Sequence, residues 1–367
     1  MKILITGSGG FIGKNLVAAL NRREDCELML FDRQCSQEQL AGFVAQADFI
    51  FHLAGINRPK DVSEFYQGNT DLTKTLLELA EKSGHKIPVL LASSTQVERD
   101  NDYGKSKLAA ESFIQAYGER NDVPVFIYRL PNVFGKWCKP EYNSVIATWC
   151  HNVTRDLPLK INDRSTSLSL VYIDDVIESF LGCLTSVSRA VFHSVPVVYE
   201  KTLGEIESLL QAFRESRKTL LVPPVGRGFE RALYGTYLSY LPTDAFSYEL
   251  NGHSDPRGTF YEILKTADSG QFSISTSKPG VTRGNHYHDT KNEKFLVIKG
   301  EALIELRNIF SDEVIQYRVS EKKMEIVEMI TGYTHNITNT GDTEMVLLIW
   351  ANEAFDREHP DTNFLKV

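Results

Sequence analysis

The sequence predicts an α/β protein in which a Rossmann-type doubly wound parallel sheet is followed by an all-β domain. In the N-terminal part, short apolar strands alternate with helical stretches, beginning with "KILIT" and the glycine-rich "GSGGFIG". Towards the C-terminus the helical patterns cease, and short strands such as "FSISTS", "EKFLVIKG" and "EALIELR" follow one another. We therefore predict two domains, residues 1–246 and residues 247–367.

Size and composition favour a globular enzyme. A chain of 367 residues is long enough for two domains, and a net charge of −8 argues against nucleic acid as a partner. The sequence contains no apolar run long enough to span a bilayer, and its start does not resemble a signal peptide. The five cysteines include no CxxC pair, which favours reduced thiols and a cytoplasmic location.

A glycine-rich turn between the first strand and the first helix predicts a dinucleotide site. Gly7, Gly10 and Gly13 follow a GxxGxxG spacing. Such glycines let the backbone approach a pyrophosphate at a helix N-terminus, where free N–H groups favour anions. A turn that binds no ligand is the alternative. The predicted cofactor contacts of this turn are Gly7, Gly10, Phe11, Ile12 and Gly13.

The second strand, "LMLF", ends at two residues that bear on the choice of cofactor. Asp32 can accept a hydrogen bond from a ribose 2′-hydroxyl, which favours NAD, whereas Arg33 can neutralise a 2′-phosphate, which favours NADP. A solvated Arg33 without a ligand is the third possibility. These residues alone leave the choice open.

Three further apolar segments continue the predicted parallel sheet: "FIFHLAG" (49–55), "IPVLLASS" (87–94) and "VFIYRLPNVFG" (125–135). Ligands of such sheets bind at the C-terminal ends of the strands. Leu53, Ala54 and Gly55 therefore join the predicted cofactor contacts.

The segment "YGKSK" places Tyr103 and Lys107 four residues apart, on one face of a predicted helix. A phenol with an ordinary pKa of about 10 needs a nearby cation to act at neutral pH. The spacing therefore points to an acid/base pair.

Five motifs in order resemble those of the extended short-chain dehydrogenase/reductases that act on nucleotide sugars: "TGSGGFIG", "HLAG", "SS" before "YGKSK", "RLPNVFG" and "VYIDDV". The resemblance implies that Tyr103 is the acid/base. It also implies that Lys107 holds the nicotinamide ribose and favours the tyrosinate, and that Ser94 orients the substrate carbonyl.

One departure from that family indicates the reaction type. Members that remove water from the sugar carry an Asp-Glu pair after the serine or threonine, whereas Thr95 and Gln96 stand here. Neither side chain can serve as the acid or base of an elimination, while hydride delivery to a ketone needs only the tyrosine proton. We therefore predict a reductase and, because biosynthetic reductases usually use the phosphorylated cofactor, NADPH.

The same resemblance places the nucleotide diphosphate and the sugar against the segment around and after Gly135. Candidate substrate contacts are Asn132, Asn143 and Arg155. An amide can pair with sugar or phosphate oxygens, although Asn143 and Arg155 can equally be surface residues.

The C-terminal domain carries a candidate metal-binding set. His286 and His288 stand at i and i+2 of a predicted strand and so point to one face. Together with Glu293 and His335 they offer three imidazoles and a carboxylate, which suit Zn, Fe, Mn, Ni or Co. We expect zinc, because it is common and needs no redox partner. A domain that binds no metal is the alternative.

The spacings G-x5-H-x-H-x4-E-x6-G from Gly280 and G-x2-H-x3-N from Gly332 resemble the two cupin motifs. The resemblance implies a jelly roll with His286, His288, Glu293 and His335 as ligands. "SDPRGTFYE", Gln271 and "KPGVTRGNH" also resemble the 4-keto-sugar 3,5-epimerases, in which the histidine of "RGxH" is the base. Because that histidine is His286, its role as base stays open.

The whole chain resembles the UDP-2-acetamido-2,6-dideoxy-hexulose reductases of capsular and O-antigen polysaccharide synthesis, on the route to UDP-N-acetyl-L-fucosamine. The resemblance implies a UDP-linked 4-keto-6-deoxy-N-acetylhexosamine as substrate, C3 epimerisation in the cupin, C4 reduction with NADPH, and a homodimer. Two alternatives remain. The cupin can be a structural or dimerising module of a simple reductase, or the chain can be a redox-inert sensor of NADP(H).

Overall fold

The protein is described here by a computed structural model that covers residues 1–186, 188–356 and 358–367. Contacts within the chain define two units. The first contains residues 1–210 and 228–242, and the second contains residues 211–227 and 243–367. The boundary between residues 246 and 247 stays a prediction.

The first unit is built from short strands alternating with helices. Its strands are β1 (Lys2–Thr6), β2 (Glu27–Phe31), β3 (Phe49–His52), β4 (Val89–Ser94), β5 (Val125–Leu130), β6 (Asn132–Phe134), β7 (Ser167–Tyr172), β8 (Phe192–His193) and β9 (Tyr199–Thr202). The helices of the N-terminal part are α1 (Phe11–Leu20), α2 (Gln37–Val44), α3 (Ser63–Phe65), α4 (Leu72–Lys82), α5 (Asp102–Asn121), α6 (Val145–Val153), α7 (Ile173–Gly182), α8 (Leu203–Thr219) and α9 (Gly228–Leu238). Helix α8 crosses the division between the two units.

The main sheet has the strand order β2-β1-β3-β4-β5-β8, and all its neighbouring strands are parallel. From β1 the chain passes outward to β2 and then returns to β3 on the other side of β1. In sheets of this kind, ligands bind at the carboxyl ends of the two strands that flank such a reversal. The topology therefore predicts a ligand site at the carboxyl ends of β1 and β3.

Apolar cores cover both faces of this sheet. Along β1, Ile3 and Ile5 pack on one side and Leu4 on the other, since successive side chains of a strand point to opposite faces. The first core includes residues of α1 and α7, and the second includes residues of α2, α4 and α5. The doubly wound parallel sheet predicted from the sequence is confirmed.

The segment 125–135, expected as one strand, forms two. β5 belongs to the main sheet, whereas β6 pairs with β7 in a separate sheet of order β6-β7-β9. Pro131 stands between them and has no N–H to donate to a strand ladder, so the chain leaves the main sheet there.

The second unit is dominated by two antiparallel sheets of orders β10-β11-β12-β19-β14-β17 and β16-β15-β18-β13-β20. Their strands are β10 (Gly252–Asp255), β11 (Gly258–Thr266), β12 (Gly270–Ser277), β13 (Thr282–Tyr287), β14 (Glu293–Lys299), β15 (Glu301–Asn308), β16 (Val314–Ser320), β17 (Ile326–Met329), β18 (Tyr333–Asn339), β19 (Met345–Ala351) and β20 (Asn363–Phe364). Alternate residues of both sheets, such as Val297 and Ile304, form one buried core. This architecture confirms the predicted jelly roll.

Residues 211–227 precede the predicted domain boundary but belong to the second unit. The N–H of Val222 donates to the carbonyl of Lys265 at 2.8 Å, and the N–H of Lys265 donates to the carbonyl of Leu220 at 2.7 Å. These bonds attach residues 220–222 to β11. Within the described residues, none of the helices combines the length and apolar character that a membrane crossing needs.

Candidate active site and metal centre

The glycine-rich turn packs against the end of β3. Gly7 has a φ of +69°, and a Cβ on it would lie 2.7 Å from the main-chain nitrogen of Ala54. A Cβ on Gly13 would overlap the carbonyl oxygen of Gly7. Helix α1 follows Gly10, which supplies no capping side chain, so its N-terminus can receive an anion.

The other predicted cofactor residues stand at the same edge of the sheet. The main-chain nitrogen of Leu53 donates to the carbonyl of Thr6, and that of Ala54 donates to the Thr6 hydroxyl at 3.2 Å. At the end of β2, the carboxylate of Asp32 accepts from the N–H of Gly9 at 2.8 Å, while the neighbouring Arg33 is exposed. The fold thus gathers the predicted dinucleotide contacts at the carboxyl ends of β1, β2 and β3.

Helix α5 carries the predicted acid/base pair. Asn101 caps it by accepting the N–H of Gly104 at 2.7 Å, which sets the start of the helix one residue before Tyr103. Tyr103 is half-buried, and its phenol lies beside the Ser94 hydroxyl at the end of β4. Burial raises the pKa of Tyr103, and the Ser94 hydroxyl lowers it in part. The structure therefore brings two of the predicted catalytic side chains together.

Lys107 lies one turn further along α5 and is buried. Its ammonium donates to the carbonyl of Ala92 at 2.9 Å and lies 3.2 Å from the position that a Cβ on Gly55 would occupy. Burial lowers the pKa of Lys107 to about 8, partly offset by the charge of Glu111. The cation thus stands between the catalytic helix and the predicted cofactor edge.

Behind Lys107 lies an ion pair that the sequence analysis missed. The buried carboxylate of Glu111 accepts from the Ser93 hydroxyl at 2.5 Å and from Nη2 of Arg129 at 2.7 Å. The Arg129 guanidinium lies 4.7 Å from the centroid of the Phe192 ring. The sequence did indicate a carboxylate near Lys107, because Glu111 stands four residues later and on the same helix face.

Asn69 is a second residue that the sequence did not reveal. It lies in a π-helical turn, Tyr66–Asp71, a distortion that often marks functional sites. Its buried amide accepts from the N–H of Ile56 at 2.8 Å and donates to the Ser106 hydroxyl at 3.0 Å. Asn69 thereby ties the loop after β3 to the catalytic helix.

The three candidate substrate residues differ in their surroundings. Asn132, on β6, donates to the carbonyl of Ser169 at 3.2 Å, and Asn143 is exposed. The Arg155 guanidinium donates to the carbonyls of Tyr240 at 2.9 Å and His151 at 3.3 Å, which closes the end of α6. A substrate phosphate would have to share that guanidinium, and all three substrate roles stay predictions.

In the second unit, the four candidate metal ligands come together. The nearest donor atoms of His286, His288, Glu293 and His335 all lie within 4.8 Å of one another. His286 and His335 are register partners on β13 and β18, and a bulge at Asn285 (φ +60°) precedes His286. His288 follows the end of β13 by one residue, so the strand expected to carry both histidines is slightly shorter than predicted.

The chemistry of this cluster suits a divalent transition metal. Among the described residues, neither ring nitrogen of the buried His335 has a well-formed hydrogen bond, and the nearest carboxylate oxygen, Oε2 of Glu293, lies 3.4 Å from Nε2. Such a buried imidazole is costly unless a ligand satisfies it. Burial lowers the pKa of His286 to about 4, so its imidazole is neutral. Burial would raise the pKa of Glu293, but its contacts with His288, His335 and Lys291 together lower it. Three imidazoles around one carboxylate match the donor set that such metals prefer.

Fold and site together define a dinucleotide-dependent enzyme joined to a jelly roll with a metal-type cluster. Residues 3–193 match the NAD dependent epimerase/dehydratase family, and residues 253–363 match the polysaccharide biosynthesis C-terminal domain. The chain belongs to this epimerase/dehydratase family.

Two relatives share the full arrangement. The chain is 52% identical over 363 residues to the UDP-2-acetamido-2,6-beta-L-arabino-hexul-4-ose reductase of Pseudomonas aeruginosa, covering 99% of this chain and 98% of that protein. The structure of the present chain is similar to that of the capsular polysaccharide assembling protein CapF from Staphylococcus aureus, with a TM-score of 0.94, 47% identity and complete coverage of both chains.

Proposed function

We propose that the protein epimerises C3 of a UDP-linked 2-acetamido-2,6-dideoxy-4-keto-hexose in the jelly roll and reduces its C4 ketone with NADPH in the N-terminal unit. The product would serve UDP-N-acetyl-L-fucosamine and capsular polysaccharide synthesis. The observation that carries this proposal is the full-length similarity to a hexul-4-ose reductase, in a chain with the residues for both chemistries.

The reduction follows from the residues of α5 and β4. NADPH, when bound, supplies the hydride that adds to C4 of the sugar. The Tyr103 phenol, kept protonated by its raised pKa, gives its proton to the carbonyl oxygen. Ser94, whose hydroxyl lowers that pKa in part, would orient the same oxygen. Lys107, one turn further along α5, would stabilise the tyrosinate that remains.

The epimerisation uses the acidity that a C4 ketone confers on the C3 hydrogen. A metal held by His286, His288, Glu293 and His335 would supply Lewis-acid stabilisation of the negative charge that develops when a base takes the C3 proton. A divalent cation bound through imidazole lone pairs and one carboxylate would keep a net positive charge. The cluster therefore favours an anionic oxygen.

Deuterium exchange separates the two chemistries. In D2O without cofactor, the intact enzyme should place deuterium at C3 of the UDP-4-keto sugar, measured by mass spectrometry and NMR. Adding NADPH should then yield the C4 alcohol. His288→Ala should lose the exchange, whereas His253→Ala, an exposed histidine on β10, is the matched control.

Two outcomes would contradict parts of this proposal. Absence of deuterium with the intact enzyme would refute the epimerase half. If His288→Ala gave the same final sugar as the intact enzyme, the jelly roll would be a structural module of a simple reductase.

The identity of the metal, the oligomeric state and the location of the protein complete the proposal. We propose zinc as the metal, a homodimer in solution and a cytoplasmic location. Elemental analysis of the purified protein tests the metal, and light scattering tests the dimer.

A further inference from the structure

A carboxylate far along the chain holds the loop between two of the candidate ligands. Residues 289–292 join His288 to Glu293, and the N–H groups of the first three all donate to the side chain of Asp361. They are Asp289 N–H to Oδ1 at 2.8 Å, Thr290 N–H to Oδ2 at 2.7 Å and Lys291 N–H to Oδ2 at 2.8 Å. The Thr290 hydroxyl adds a fourth bond at 3.0 Å.

The main chain of Asp361 also acts on His288 itself. Its carbonyl oxygen lies 2.5 Å from Nδ1 of His288. A carbonyl can only accept, so Nδ1 carries a hydrogen, and Nε2 is the nitrogen left for a metal. Nε2 faces Glu293, at 3.4 Å from Oε2. Asp361 thus sets which ring nitrogen His288 presents to the cluster.

The segment around Asp361 is itself held in place. Immediately after it, β20 pairs with β13, with Phe364 opposite His286 and Asn363 opposite Tyr287. The Asp361 carboxylate is thus fixed beside the loop, where it accepts four hydrogen bonds.

We propose that Asp361 is a positioning residue of the metal centre, whose carboxylate fixes the loop between His288 and Glu293 and whose carbonyl fixes the His288 tautomer. This inference rests on the proposed metal site. Groups that orient a metal ligand from outside commonly change metal affinity 10- to 100-fold when removed. A residue that only stabilised the fold would leave affinity unchanged once the protein had folded.

The test is zinc affinity of the full chain, measured by competition with a chromophoric chelator. Asp361→Asn keeps the size of the side chain but removes its negative charge and replaces one acceptor oxygen by an NH2 group. That NH2 group cannot accept a hydrogen bond from the N–H groups of the loop. We expect zinc to bind about 10- to 100-fold more weakly. Asp356→Asn is the matched control, since this exposed carboxylate lies in the same segment and accepts instead from the N–H of Glu358.

A second variant covers the case in which Asp361→Asn does not fold. Thr290→Val removes one hydroxyl bond to Asp361 and should weaken zinc binding about 2- to 10-fold. Nitrogen-15 shifts of His288 in the metal-free protein should show hydrogen on Nδ1, and they should show it in Asp361→Asn as well, because this variant keeps the main-chain carbonyl. Unchanged zinc affinity in the folded variants would overturn the inference. If the intact chain bound no zinc, the proposed metal site would be refuted. The position of the hydrogen on His288 would then still test the role of the Asp361 carbonyl, and hydrogen absent from Nδ1 would overturn it.

Discussion

The Ser94 hydroxyl at the end of β4 lies beside the Tyr103 phenol in the first turn of α5. Because burial raises the pKa of this phenol by more than the Ser94 hydroxyl lowers it, the side chain holds its proton at neutral pH. It is thus ready to donate to a carbonyl oxygen.

Replacing this phenol should separate the two proposed reactions. Tyr103→Phe removes the proton donor, and we expect NADPH oxidation with the UDP-4-keto sugar to slow about 10²- to 10⁴-fold. Deuterium exchange at C3 should continue. Tyr117→Phe, on the same helix, is the control: it loses a bond to the carbonyl of Ile87 and about 1 kcal/mol of stability, but no activity. Full turnover by Tyr103→Phe would refute the assignment.

The pH dependence of reduction should report Lys107. Its pKa of about 8 predicts that kcat/KM for reduction falls as pH rises above 8, because the cation that supports Tyr103 is lost. Glu111 raises that pKa, so Glu111→Gln should move the alkaline limb to lower pH. Glu119→Gln, an exposed carboxylate near the end of α5, should leave the profile unchanged. A limb that does not move in Glu111→Gln would count against this coupling.

The ionisation of Lys107 should also affect stability, and the free energy of unfolding should rise with pH where the rate of reduction falls. The pKa of Lys107 in the folded protein, about 8, lies below its ordinary value of 10.5, so folding disfavours the charged form. The resulting penalty is complete below pH 8 and disappears between pH 8 and 10.5. Relative to Lys107→Met, the free energy of unfolding of the intact chain should therefore rise across that window, as measured by denaturant titration. A constant difference would contradict the burial of a charged lysine.

Arg33→Ala should test the cofactor. If this exposed guanidinium pairs with a 2′-phosphate, its loss should raise KM for NADPH about tenfold or more and leave KM for NADH unchanged. Arg22→Ala, exposed just beyond α1, is the control. Equal use of both cofactors before and after the change would defeat the assignment to NADPH.

Metal removal should destabilise the jelly roll. A ligand present at 100 times its Kd adds about 2.7 kcal/mol to the free energy of unfolding, so a chelator should lower the Tm of the intact chain. His335→Ala should abolish the response to the chelator, because it removes a buried ligand from the cluster. His253→Ala should respond as the intact chain does. A Tm that is insensitive to chelation in the intact chain would argue against a resident metal.

Local patterns explain most of what could be predicted. The glycine turn, the i and i+4 spacing of Tyr103 and Lys107, and the alternation along the C-terminal strands each depend on residues close together in sequence. The split of residues 125–135 was missed although Pro131 signals it, because the apolar run continued on both sides.

The contacts that complete each site depend on residues far apart. Ser93 meets Glu111 across 18 residues, and Asp361 meets Thr290 across 71. No spacing rule relates such pairs, because strand order and register bring them together only after the chain has folded.

The sequence by itself determined the two kinds of fold and the glycine-rich turn, because periodicities and short motifs depend on neighbouring residues. It also supplied the predictions of which residues bear the chemistry. Only the tertiary structure decided that residues 211–227 join the second unit, that Glu111 lies behind Lys107 and that Asp361 orients His288. The physical reason is that burial, which sets pKa values and the need for hydrogen-bond partners, is a property of the packed chain.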